Sequence, residues 1–154
     1  MYVDTHTHIY LKDFDDDRKQ IINECKKLGV TKLLLPNIDS NSMQDVIKIS
    51  NEFKGMCFPM VGLHPCSVKQ NYNEELSFIK PYIKSCNPIA IGEIGIDLYW
   101  DKSTLDIQKK AFIKQVNWAL EFELPIVIHA RESYKEIFEI LDFLNTSKLK
   151  GVFH

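Results

Sequence analysis

Six short apolar runs, separated by stretches of helical periodicity, set the fold class of this chain. They are "YVDT" (2–5), "KLLLP" (32–36), "CFPMVG" (57–62), "IAIGE" (89–93), "IVIH" (126–129) and "GVFH" (151–154), beginning 25 to 37 residues apart. Several are continuously apolar rather than alternating, the pattern of parallel strands buried on both faces. Parallel neighbours need a crossover of about a dozen residues or more, and each gap contains one. "DFDDDRKQIINECKKLG" (13–29) puts Ile21, Ile22, Cys25 and Leu28 on one helical face. It has aspartates in its first turn, Lys26 and Lys27 in its last, and Gly29 placed to end it. "SNSMQDVIKISNEF" (40–53) turns Met43, Val46, Ile47 and Phe53 inward behind polar caps at Ser40–Ser42. Pro81 predicts a kink or two short pieces in "NEELSFIKPYIK" (73–84). "STLDIQKKAFIKQVNWALEFE" (103–123) is the longest helix candidate. "SYKEIFEILDFL" (133–144) has Ser133 as N-cap and Ile137, Ile140, Leu141 and Leu144 facing inward. Alternating βα units imply an open doubly wound sheet or a (β/α)8 barrel. A nucleotide-binding open sheet would carry a glycine-rich turn after its first strand. Here the first strand runs into "DTHTH" (4–8), which favours the barrel.

Residues 1–154 show no linker, repeat or low-complexity stretch and read as a single domain. With a net charge of −2 there is no global basic field for nucleic acid, so a polyanionic substrate needs local positive charge from a few side chains or from metal. No signal peptide or membrane anchor is visible, and a cytoplasmic location is expected. The four cysteines (25, 57, 66 and 86) lack Cys-x-x-Cys spacing, so reduced thiols are expected, with Cys25 and Cys57 packed inside and Cys66, after "GLHP", able to approach a site.

All five histidines, His6, His8, His64, His129 and His154, fall at or just beyond the C-terminal end of a predicted strand. In a parallel α/β protein those ends share one face, where catalytic groups sit. In an extended segment His6 and His8 point to the same side, roughly 6.5–7 Å apart, and can lean toward one divalent metal. Glu93 follows Ile-Ala-Ile-Gly, where a carboxylate is costly unless paired or bound to cations. It is read either as a salt-bridge partner or as a ligand bridging two ions. Arg131 suits a phosphate or carboxylate oxygen, or a salt bridge at the rim. His64 is open to metal binding, phosphate contact, general acid chemistry or a structural role. Asp4 is placed to orient one of the two leading imidazoles. Tyr99 and Trp100 can stack on a base or simply pack.

"DTHTH", "VGLHP", "AIGEIGIDLYW", "LPIVIHARES" and "GVFH", in this order and at these separations, resemble the TatD family of metal-dependent deoxyribonucleases, amidohydrolase-like hydrolases on TIM barrels. The resemblance runs along the whole chain. It implies that His6 and His8 hold one metal, that Glu93 bridges, that His129 and His154 hold the second, and that His64 and Arg131 face the scissile phosphate. Glu93, His64 and Arg131 are then the catalytic candidates. Tyr10 departs from the family, which often has an aspartate shortly after His-x-His. The implied activity is hydrolysis of DNA phosphodiester bonds with two divalent ions (Zn, Mn, Co or Mg), the DNA being bound weakly and through the metals. The family's barrels are also longer, about 250 residues. The expectation for residues 1–154 is therefore an incomplete (β/α)8 TIM-like barrel of about six βα units. It lacks the C-terminal units and an aspartate on a later strand that completes the first metal site. Such a chain is expected to be nearly inactive alone and to self-associate through open sheet edges. Two other readings are an amide or lactone hydrolase on the same scaffold and a non-catalytic fragment.

Overall fold

The computed structural model describes residues 1–144 and 148–154. The strands are β1 (Tyr2–Asp4), β2 (Val30–Leu35), β3 (Cys57–Pro59), β4 (Ile91–Asp97), β5 (Ile126–Arg131) and β6 (Gly151–Phe153). Between them lie α1 (Arg18–Lys27), α2 (Met43–Glu52), α3 (Tyr72–Ile79), α4 (Tyr82–Ser85), α5 (Leu105–Glu121) and α6 (Tyr134–Leu144). Short 3-10 turns precede α1, α3 and α5. Every strand pair is parallel and in sequence order, β1-β2-β3 and β4-β5-β6. A parallel bridge from Val61 to Ile91 joins the two triplets, so the six strands follow one another around an arc. This is the order that βα crossovers impose.

Strands β4 and β2 show why the arc holds. All seven residues of β4 are buried, and Leu33 and Leu35 of β2 point into the core with Met43 and Val46 of α2. Pro81 divides its helical segment into α3 and α4, as its missing N–H requires. Among the described residues no helix is long and apolar enough to cross a membrane.

Three local expectations are corrected. First, α1 begins at Arg18, not within the acidic run. Arg18 donates to the carbonyls of Ile9 and Leu11, both at 2.7 Å, and to Asp15 at 2.8 Å. That anchor gathers the loop after β1 and delays the helix, so the aspartates precede it. Leu28, expected inside, is 74% exposed because the helix has ended by then and Gly29 (φ +83°) turns the chain into β2. Second, β4 runs four residues past its expected end, making Glu93 a mid-strand residue and Asp97 the strand's last. Third, Ser133 does precede α6 and its carbonyl accepts Ile137 N–H at 3.1 Å, but its hydroxyl donates to Ile96 O at 2.6 Å instead of capping, tying the start of α6 to β4.

Two buried glutamines seven residues apart on α5 brace the ends of the strands. Gln115 accepts from Leu63 N (2.7 Å) and donates to Leu63 O (3.3 Å), while Gln108 makes the same pair of bonds with Asp97 (2.8 and 3.0 Å). Each amide replaces a missing strand neighbour for one residue, immediately before His64 in one case and at Asp97 in the other. Replacing Gln115 with leucine keeps the volume but strands a buried N–H and C=O. A loss of about 2 kcal/mol in urea unfolding is expected.

Candidate metal centre

The C-terminal ends of β1, β4, β5 and β6, and the loop after β3, bring the five histidines around Glu93. Glu93 is 2% exposed. Its two oxygens serve different partners. Oε2 lies 3.2 Å from His6 Nε2, and Oε1 lies 3.0 Å from His129 Nδ1 and 3.7 Å from His64 Nε2. His6 Nε2 is also 3.3 Å from His8 Nε2. Two donor groups with metal-site spacing result, His6–His8–Glu93 and His64–Glu93–His129, with Glu93 common to both.

The hydrogen bonds on the far nitrogens decide which imidazoles can act as ligands. His129 Nε2 is 2.8 Å from Asp97 Oδ2, a carboxylate that only accepts, so this nitrogen carries hydrogen and a neutral His129 has its lone pair on Nδ1, toward Glu93. His64 is the reverse case. Its Nδ1 accepts from the backbone N–H of Cys66 at 3.1 Å, so a neutral ring carries hydrogen on Nε2 and offers a donor at the centre. That suits an anionic oxygen rather than a cation, which separates His64 from the ligand candidates although it lies 3.2 Å from His129.

The electrostatics agree. Burial pushes the Glu93 carboxyl up, but bonds from His129, His6 and His64 outweigh it and hold the group well below the carboxylate range. Asp97 is likewise lowered, with burial opposed by His129 and by the N–H groups of Trp100 and Tyr99. Burial, then His6, lowers both His8 and His154, so both are neutral at pH 7. Burial lowers His129 as well, but Glu93 and Asp97 reverse this and raise it. A proton on His129 Nδ1 accounts for its 3.0 Å approach to Glu93 Oε1, and a divalent cation shared by the two groups does so equally. The donor set therefore fits a divalent ion, with neutral imidazoles and a shared ionised carboxylate. An ion bound at Nδ1 would compete with a proton there, which Glu93 and Asp97 favour by raising the His129 pKa. Apparent affinity should accordingly rise with pH through neutrality, and the calorimetric binding enthalpy should vary with the ionisation enthalpy of the buffer.

The positions of the remaining candidates are specific. The ring of His154 stacks on that of His6, with centroids 3.6 Å apart and planes 8° from parallel. Asp4 accepts the backbone N–H of His6 at 3.1 Å and does not orient an imidazole. Arg131 is exposed, with its guanidinium carbon 3.6 Å from the centroid of the Tyr99 ring and 5.5 Å from that of Trp100. Those two aromatics support a cation at the rim, and Asp97 Oδ1 accepts both of their backbone N–H groups. All four cysteines are free. Cys66 meets the site through its backbone N–H on His64 and through its thiol beside Asp97, and burial, then Asp97, pushes that thiol up to about 11.

Sequence reasoning missed Asp97, Asn37 and the role of Tyr10. Asn37 is fully buried and ties β2 to β3 and β4, donating to Gly62 O (2.8 Å) while its backbone N–H reaches Gly92 O (3.2 Å). The signal for Asp97 was its spacing. Residues 93, 95 and 97 share one face of an extended strand, so a second carboxylate four places after Glu93 was due on the histidine side.

A family model described as TatD related DNase matches residues 3–154. An uncharacterized metal-dependent hydrolase of Bacillus subtilis, YabD, is 30% identical over 154 residues, all of this chain and 60% of that protein. A Pantoea protein named 3'-5' ssDNA/RNA exonuclease TatD is 30% identical over 128 residues, 83% of this chain and 49% of that protein. The crystal structure of the Escherichia coli TatD homologue YjjV superposes with a TM-score of 0.84 at 22% identity, over 92% of this chain and 55% of that one. The chain thus spans roughly half to three-fifths of the length of these relatives, and its six parallel strands form an incomplete (β/α)8 TIM-like barrel. The chain belongs to the TatD related DNase family.

Proposed function

We propose that this chain carries the two-metal centre of a hydrolase that cleaves DNA phosphodiester bonds. The observation that carries the reading is Glu93, one oxygen toward each of two imidazole groups. In this reading His6, His8 and Glu93 hold one ion, and Glu93 and His129, with His154, hold the other. Ions bound there supply Lewis acidity toward a phosphodiester and make water nucleophilic at neutral pH. The chain's own residues do the rest. Glu93 keeps negative charge between the two sites, and Asp97 holds His129 with Nδ1 inward. His64 donates from Nε2 to a phosphate oxygen. Arg131, steadied on Tyr99, supplies a planar cation at the rim, where the exposed ring of Trp100 offers a face to a base. The Pantoea relative's name, an exonuclease of single-stranded DNA and RNA, supports a single-stranded substrate.

The test is a panel of a DNA oligonucleotide, its RNA counterpart, an amide and a lactone, each assayed with Mn²⁺, Zn²⁺, Co²⁺ or Mg²⁺. It is run on this chain and on any longer protein that contains it. Chelator-sensitive oligonucleotide cleavage is expected, weak in this chain alone, and turnover of the amide or lactone only would overturn the reading. The reading also includes self-association. The strands β1 and β6 are exposed throughout, with Tyr2, Val3, Val152 and Phe153 on them, and among the described residues neither has a strand on its outer side. Sedimentation should show mass rising with concentration, and a monomer at every concentration would exclude it.

A further inference from the structure

Tyr10 is 2% exposed, and its hydroxyl makes hydrogen bonds to His8 Nδ1 at 2.8 Å and to Pro36 O, to which it donates at 2.7 Å. A phenol has one proton, and a proline carbonyl only accepts. The proton is thereby committed to Pro36, and toward His8 the oxygen acts as acceptor. His8 Nδ1 must therefore carry hydrogen. A neutral imidazole has one N–H, so its lone pair sits on Nε2, the nitrogen 3.3 Å from His6 Nε2 in the group completed by Glu93.

We infer that Tyr10 is a positioning residue that locks His8 in its Nδ1–H form and so presents Nε2 to a divalent cation. The relay runs from Pro36 through Tyr10 to His8 and crosses from β2 to the loop after β1, so the orientation is set before any ion arrives. It does for His8 what Asp97 does for His129, with a neutral partner in place of a charged one. Hydrogen bonds of this kind to a ligating imidazole are worth about 10–100-fold in metal affinity.

The inference rests on the metal reading for its purpose but not for its test. Two-bond proton–nitrogen NMR of the metal-free protein above pH 7 reads the ring form of His8 directly. Nδ1–H is expected, and a predominant Nε2–H form in the unaltered protein overturns the inference whether or not any variant folds. Tyr10→Phe removes only the hydroxyl. It should release His8 into a mixture of both forms and weaken Zn²⁺ binding, followed at the His8 ring resonances, by about 10-fold. A Tyr10→Phe protein that loses stability but keeps both the His8 ring form and the Zn²⁺ affinity reduces Tyr10 to a packing residue and overturns the inference. If the unaltered protein takes up no Zn²⁺ at His8, the metal reading fails, and the ring form still judges Tyr10.

Discussion

Glu93→Gln is expected to lower divalent-metal affinity by more than about 100-fold, beyond the loss typical of an outer hydrogen-bond partner. The amide keeps the size of the side chain but lacks the charge that two cations share, and it turns one of the two oxygens into a donor facing an imidazole. The same change should drop the pKa of His129, since Glu93 is the first of the groups that raise it against burial. Both effects are measurable, by calorimetric titration and by NMR titration of the metal-free protein. In a longer, active protein the rate on an oligonucleotide should fall by about 10²–10³, corresponding to roughly 3–4 kcal/mol of lost transition-state stabilisation. Normal metal content with normal turnover would remove Glu93 from its bridging role.

Gly95→Ala should be the most damaging single-methyl change in the chain. Gly95 pairs with His129 in the parallel β4–β5 register and adopts φ +147°, a conformation that side chains rarely take. An added β-carbon would run into the His129 carbonyl oxygen and come within 2.9 Å of its carbonyl carbon and 3.0 Å of its nitrogen. These are backbone atoms of the neighbouring strand, so no flexible side chain can give way. A loss of about 4 kcal/mol or more is expected, a large part of the stability of an ordinary domain. Urea unfolding followed by circular dichroism should show a lost or strongly shifted transition. Gly55→Ala is the contrast. Its φ is also positive, at +84°, but nothing lies within 4 Å of the new atom, and a loss of about 1 kcal/mol is expected.

The two substitutions fall on β4, the element that sequence patterning described least well. "IGEIGID" has two glycines and two carboxylates in seven residues, which no propensity scale reads as a fully buried strand. It is one because Glu93 and Asp97 meet imidazoles from strands and loops far away in sequence, and because Gly95 lets β5 approach. The α1 boundary failed for a related reason. The acidic run suited a helix dipole locally, but Arg18 is held by carbonyls of the preceding loop, and that tertiary anchor wins over a few tenths of a kcal/mol of dipole energy.

What the sequence determined by itself was the order of βα units and the side of the sheet on which the chemistry gathers. Both follow from short-range rules. Continuous apolar runs and helical periodicity define the elements, parallel pairing forces all strand ends to one face, and every histidine was written at such an end. What only the tertiary structure decided is which nitrogen of each ring faces the centre. Asp97, the Cys66 backbone and Tyr10 set that choice for His129, His64 and His8. The tertiary structure also decided that the ring of His154 lies against that of His6. A ring's tautomer and its stacking partner depend on single contacts: Cys66–His64 and Tyr10–His8 are two residues apart, whereas Asp97–His129 and His6–His154 are more than thirty apart. No local pattern encodes the long-range ones, because only the assembled arc brings Asp97 to His129, His154 to His6, and the Pro36 carbonyl to the Tyr10 hydroxyl.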